Sequence, residues 1–366
     1  MQDVLVVGGG PAGIATAIAA RLKGLRVSVI DARKPPIDKP CGEGLLPGAV
    51  QALRQLGVEL NSTQLFRFSG FRFCDESSAV SAQIPAGDAL GIRRTVFHRL
   101  LVERALELGV NFLWGTKLVR LDHRGAKTSA GFIPSKWIVG ADGSSSIVRR
   151  LAGLDPRRRG HFRFGFRRHF KIAPWTDRVE VHWGRKRQLV VTPTGFNEVC
   201  VSLFTSDSSL RLRSVLAAFP AVAQRVEGAT PTSAEAGTVT MLSRAPAVVR
   251  GKVALVGDAS GTVDGIAGQG LSLAFQQAIH LADALAQENL SVYAVAHAGI
   301  SRTPVRITRL LLVMNACSAL RRKVLRLFAA KPALFAKVIS IHTGASSRDA
   351  LSAAEVMNLG WQVMWA

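Results

Sequence analysis

The stretch that decides the fold is residues 4–31. It reads Val4-Leu5-Val6-Val7, then Gly8-Gly9-Gly10-Pro11-Ala12-Gly13, a helix-like run to Gly24, and Arg26-Val27-Ser28-Val29-Ile30-Asp31. That order is a buried strand, a glycine turn, a helix, and a second strand ending in an acid. Gly8, Gly10 and Gly13 fit G-x-G-x-x-G in the context the motif needs, directly after a strand and opening a helix. Glycines there permit a tight turn, close backbone approach to a pyrophosphate, and close packing of helix on strand. The helix N-terminus offers free N–H groups and a positive dipole end to phosphate. Asp31 is placed to accept hydrogen bonds from adenosine ribose hydroxyls. A plain βαβ turn could use the glycines for geometry alone, but strand, helix and acid together predict dinucleotide binding.

At 366 residues and 48% hydrophobic, the chain has material for a globular protein of two domains, or of one large one. Its 47 basic and 25 acidic residues leave a net charge of +22. Such a balance favours nucleic acid, anionic lipid or a phosphate-bearing cofactor; the alternative is an arginine-rich, solvated surface. Cys41, Cys74, Cys200 and Cys317 show neither C-x-x-C nor metal-ligand spacing, which predicts cytosolic thiols and no metal site. The chain enters its first strand without a basic leader, and no run of about 18 apolar residues exists. The expected location is the cytoplasm, with membrane association through the tail as an extension.

Further along, Asp38-Lys39-Pro40-Cys41-Gly42-Glu43-Gly44 leads into a helix from Gly48 to about Leu56. Glycines flanking Glu43 suggest backbone passing close to something flat or bulky. Phe66–Phe73 and Ala79–Ile84 alternate as strands, and a helix runs from Arg93–Leu101 to Leu108. Val110–Trp114, Lys117–Leu121 and Trp137–Gly140 are strands. Beyond Leu154 the texture changes to antiparallel-looking strands at Phe162–Ile172, Arg178–Trp183, Gln188–Thr192 and Glu198–Thr205, with a helix at Leu210–Phe219. A buried strand, Val253–Gly257, then meets Asp258, and a helix follows from Leu271 to about Ala286. Between Glu288 and Asp349 no acid occurs, while arginine and lysine recur. A basic amphipathic helix of this kind can lie on an anionic membrane, or pack on its own protein with a solvated face.

Three sites share one design: a strand ends, and glycine or a short carboxylate sits at its carboxyl edge. They are Gly8–Gly13, Gly140-Ala141-Asp142-Gly143 and Gly257-Asp258. Ligands of open α/β sheets bind at such edges, and three sites imply a long ligand. The glycines Gly265, Gly268 and Gly270 at a helix start would face negative charge. On these residues the chain resembles the FAD-dependent monooxygenase superfamily typified by para-hydroxybenzoate hydroxylase. It is most similar to the geranylgeranyl-reductase branch through Lys39-Pro40-Cys41-Gly42-Glu43-Gly44, with coverage from about residue 3 to 290.

The resemblance implies an α/β fold: a Rossmann-like FAD-binding domain with an inserted antiparallel β-sheet substrate domain and a C-terminal helical tail. The divisions are 1–65, 89–155 and 246–295 for FAD, 66–88 and 156–245 for substrate, and 296–366 for the tail. It implies that Gly8, Gly10 and Gly13, with Ala12, surround the pyrophosphate. Asp31 with Ala32 and Arg33 lies at the adenosine ribose, Arg94 reaches the pyrophosphate, and Leu118 flanks the adenine. Asp142 serves FAD and the nicotinamide donor, and Asp258 the ribityl-phosphate region. Gly268, Gly270 and Leu271 face the flavin ring, as do Gly42 and Cys41, the latter a candidate catalytic thiol. Without the resemblance, Arg33 and Arg94 read equally well as surface charges. Where related hydroxylases carry histidine, proline and asparagine, this chain has Gly261, Gly265 and Ser272. The reductase branch also usually keeps the proline. The paired-tryptophan motif of flavin halogenases is absent.

The expected activity is an NADPH- or NADH-using FAD monooxygenase that hydroxylates a hydrophobic aromatic or polyketide-like substrate. One alternative is a flavin reductase of C=C bonds in an isoprenoid chain. A second is a basic membrane-surface or nucleic-acid-binding protein that retains a cofactor domain, suggested by arginines interleaved with phenylalanines over Pro156–Phe170. Period-two alternation there suits a substrate-domain strand, so nucleic acid is disfavoured. His169 and His182 are read as structural. Tyr293, beyond the cofactor helix, is not expected to serve catalysis.

Overall fold

The computed structural model describes residues 2–60, 64–156 and 162–344. Its first sheet runs, edge to edge, Val249–Arg250, Val253–Leu255, Gly131–Gly140, Gln2–Val7, Val27–Asp31, Asn111–Trp114. From Val253–Leu255 onward all neighbours are parallel. Register aligns Val7 with both Gly140 and Ile30, and Gly140 with Leu255. The three strand-end motifs therefore emerge side by side along one carboxyl edge. The first helix, Pro11–Leu22, packs its Ile14, Ala17 and Ile18 on Val4, Val6 and Val29, and a long helix, Gly270–Ala286, lies against it.

The second sheet has the order Thr230–Pro231, Arg163–Lys171, Glu198–Thr205, Arg187–Gly195, Arg178–Gly184, Gly70–Cys74, Ala79–Gln83, with Ala236–Thr240 also paired to Arg163–Lys171. It is antiparallel except where Gly70–Cys74 meets Arg178–Gly184. The single strand expected over Phe66–Phe73 is two. Leu65–Arg67 joins a small sheet with Leu90–Ile92 and Gly44–Leu45, and Gly70–Cys74 joins the large one. At Gly70 the strands approach so closely that a Cβ would lie 2.2 Å from the Ala82 carbonyl oxygen, so the alternation changes phase there. The helix expected over Leu210–Phe219 is shorter, Leu212–Leu216, and a further one not expected from sequence follows at Pro220–Val226, with Pro220 in its first turn.

The tail forms helices Leu290–Ala316, Ser318–Ala330 and Pro332–Thr343. Met314, Leu325, Phe328, Phe335 and Ile339 are buried in one cluster with Phe71, Val181 and Trp183 of the second sheet. Arg321 departs from the expected solvated basic face. It is buried, donates to the Met314 carbonyl at 3.2 Å and stands 5.7 Å over the Trp183 ring. Arg302, Arg306 and Arg309 do face outward. In the Arg163–Lys171 strand, Arg163 and Arg167 are also buried, each in an ion pair, which removes them from any nucleic-acid surface. Arg157, Arg158 and Arg159, and the tail from 345 to 366, lie outside the described residues.

Candidate functional site

Between the carboxyl edge of the first sheet and the inner face of the second lies a cavity of about 870 Å³, within the usual range for ligand sites. Every residue assigned to the cofactor from sequence lines it except Gly13. Gly13 is instead a packing residue: a Cβ there would stand 1.8 Å from the Gly8 carbonyl oxygen, so the helix can sit this close only on glycine. Gly8 (φ +115°) is equally constrained, its Cβ position being 2.4 Å from the Ala141 oxygen. Gly10, Gly42, Gly268 and Gly270 behave oppositely. A Cβ on any of them would meet no protein atom within 4 Å; each borders space that a flat or extended ligand would fill.

The charges along the cavity are only partly spent on the protein. Arg94 is 5% exposed, and its Nε has no hydrogen-bond partner. Burial pushes its guanidinium below the ordinary arginine range, opposed by the charges of Cys41, Glu43, Asp38 and Asp258. A buried, under-satisfied cation at a helix start is what a pyrophosphate would complete. Asp31 ties the glycine turn to its strand, accepting from the backbone N–H of Gly9 and of Arg33, both at 2.8 Å. Asp258 pairs with Lys39 at 2.7 Å. Asp142 borders the cavity, but its carboxylate accepts from Ser146 Oγ and from the N–H groups of Ile147 (2.6 Å) and Val148 (3.1 Å), capping the helix Ile147–Leu151.

Glu43 was not singled out from sequence as a functional group. It has φ +59° and a fully buried carboxylate. Oε1 accepts from Arg167 Nη1 at 2.7 Å and from the Arg94 N–H at 3.0 Å; Oε2 lies 2.6 Å from His169 Nε2. Arg167 also holds Asp38 in a fork, at 3.1 and 2.8 Å. Against the burial that opposes its charge, the Asp38 bond and the Glu43 charge raise the Arg167 guanidinium above its usual range. Glu43, His169 and Cys200 bring their ligand-type atoms within 4.8 Å of one another. A cation does not suit this trio, because Arg167 already occupies the carboxylate and burial pushes the Cys200 thiol well above its ordinary range. The cluster is an ion-pair knot fastening the Lys39–Gly44 loop, and Cys41 with it, to the second sheet.

The second sheet forms a ceiling of three cross-strand rows. One is Phe71, Val179, Thr192, Cys200, His169; the next Phe73, Val181, Val190, Ser202, Arg167; the third Trp183, Gln188, Phe204, Gly165, Thr238. The ceiling is charged beneath Arg163–Lys171 and apolar toward Gly70–Cys74. Leu311 and His342 of the tail close its flank. Burial lowers His342 to about 4, so it is neutral there. His182 pairs with Glu180, and the Tyr293 hydroxyl donates to the Leu255 carbonyl at 2.7 Å, so both are structural. At Gly265 a Cβ would meet the Phe204 ring at 2.5 Å.

The family described as FAD binding domain matches residues 1–290. The chain belongs to that family. Menaquinone reductase of Mycobacterium tuberculosis is 27% identical over 316 residues, which cover 79% of this chain and 78% of the relative. Rifampicin monooxygenase of Rhodococcus hoagii is 30% identical over 161 residues, covering 41% and 33%. A flavoprotein/dehydrogenase from Cytophaga hutchinsonii superimposes with TM-score 0.81 at 19% identity, covering 93% of this chain and 92% of that one, a likeness of fold. The chain is thus an FAD-dependent oxidoreductase. In the FAD domain the residues present fit the cofactor: open glycines, an incompletely paired Arg94 and a helix N-terminus line one continuous cavity.

Proposed function

We propose that this FAD-dependent enzyme takes electrons from NAD(P)H and reduces a carbon–carbon double bond in an elongated, apolar molecule. The observation that carries the reading is the Cys41 loop, fastened against the cofactor cavity by Glu43 and roofed by Phe73, Val181, Val190 and Leu311. FAD, when bound, supplies the hydride. The chain's own residues do the rest. Arg94 and the glycine turn hold the phosphates, the ceiling and tail exclude water, and Cys41, a residue of the cavity wall, hands a proton to the other carbon. The match to a reductase over most of both chains supports this choice.

The second reading is the monooxygenase expected from sequence, favoured by the match to rifampicin monooxygenase over 161 residues. Incubating the protein with NADPH and a mixture of polyprenyl quinones and aromatic polyketides, with and without air, separates the two. A product gaining two hydrogens without oxygen is expected. A product gaining one oxygen atom, formed only in air, establishes the second reading instead.

The reading extends to a lipid surface. Arg302, Arg306 and Arg309, with half-exposed Leu310 and Val313, stand on the outer side of the helix whose Leu311 lines the cavity. Such a face suits anionic headgroups. The chain should co-sediment with phosphatidylglycerol vesicles at low salt, and not with phosphatidylcholine ones. No helix of the described residues is long and apolar enough to cross a membrane.

A further inference from the structure

At the apolar end of the ceiling two polar atoms stand out. Trp183 and Gln188 are directly opposed across adjacent strands, are 2% and 1% exposed, and both line the cavity. Trp183 Nε1 and Gln188 Oε1 are buried without hydrogen-bond partners. A buried donor or acceptor left unpaired is costly, and most buried polar groups are satisfied. The Trp183 ring is also held in place: Arg321 stands over it, and Met314, Leu325 and Phe328 belong to the cluster that buries it. Beside the pair the wall is apolar, with Val181 and Val190 in the next row.

We propose that Trp183 and Gln188 form an anchor for a hydroxyl group on the substrate. This rests on the cavity being the substrate chamber of the FAD enzyme. An indole N–H only donates and an amide oxygen only accepts, so the pair as it stands calls for one group that does both. A hydroxyl accepts from Trp183 Nε1 and donates its proton to Gln188 Oε1. A ketone or a methyl ether satisfies only the indole, and a hydrocarbon satisfies neither. The substrate class is therefore an alcohol, phenol or hydroquinone whose apolar body lies along Val181 and Val190. No covalent step is involved. The anchor would fix how deep the molecule enters and hence which bond reaches the flavin.

The test is equilibrium dialysis of 2-naphthol and of 2-methoxynaphthalene against the FAD-loaded protein. The native chain should prefer the hydroxyl about tenfold, equivalent to about 1.4 kcal/mol. Gln188→Leu, of similar volume, should bring the two affinities together while FAD content and methyl-ether binding stay as they were. Trp183→Phe removes the donor that both ligands share, so it should weaken both and leave the hydroxyl preference in place. No preference in the native chain, or a preference that survives Gln188→Leu, overturns the anchor. FAD retention and the product assay test the underlying reading separately. A protein that fails those yet loses its hydroxyl preference in Gln188→Leu keeps the site and loses only the assigned reaction.

Discussion

Removing the Glu43 carboxylate should loosen the whole molecule. Glu43→Ala deprives Arg167 of its 2.7 Å partner, His169 Nε2 of its 2.6 Å partner and the Arg94 N–H of its acceptor. Arg167 keeps both bonds to Asp38, so breaking that pair should cost about 3 kcal/mol, the lower end for a buried ion pair. The two donors left without acceptors add about 1 kcal/mol each, for a total near 5 kcal/mol. Glu43→Gln keeps the shape and one oxygen, which can still face Arg167 and Arg94. His169 can take its other tautomer, with Nδ1 donating to Ser233 Oγ, 2.9 Å away. About 1–2 kcal/mol should be lost. At roughly 2 °C per kcal/mol, the alanine variant should melt about 10 °C below the native chain and the glutamine variant about 2–4 °C below. Differential scanning fluorimetry, following protein and flavin release together, reads both. An alanine variant melting within about 2 °C of the native chain, or the two variants melting together, refutes the knot.

Gly10→Val should fold normally and fail to retain FAD, because its side chain enters open cavity, whereas Gly13→Ala should destabilise the fold itself, its Cβ meeting the Gly8 oxygen; melting curves beside flavin content distinguish them. Arg94→Ala should weaken FAD binding about 10- to 100-fold, the worth of a charged hydrogen bond, measured by titrating apoprotein with FAD. His297 is held neutral by burial and by the nearby Arg244, its pKa lowered from 6.5 to about 4. Below pH 6.5 the unfolded chain binds a proton that the folded one refuses, so stability falls between about pH 6.5 and 4, by up to ~3 kcal/mol. His297→Gln, which can still pair with Ser260 Oγ, should flatten that part of the melting-temperature profile.

The strand-end design was legible because it is local. Each motif carries its own strand and turn, and parallel pairing then brings Val7, Gly140 and Leu255 into line. Glu43 was not legible as a functional group, because its partners Arg167 and His169 lie 124 and 126 residues away. A lone acid between two glycines shows no period that would point to them. The acid-free tail misled in a different way. Composition averages over the faces of a helix, whereas Arg321 shows that one arginine of the run turns inward onto Trp183. Gly265 shows the same limit inside a motif. Read alone, it is a lost proline and a weakened match to the family. In the fold, the Phe204 ring occupies the space in front of it, and a Cβ at 265 would be 2.5 Å from that ring. The two positions are one steric unit, contributed by the FAD domain and by the ceiling. The room available at residue 265 is therefore set by residue 204, across the seam between the cofactor domain and the ceiling.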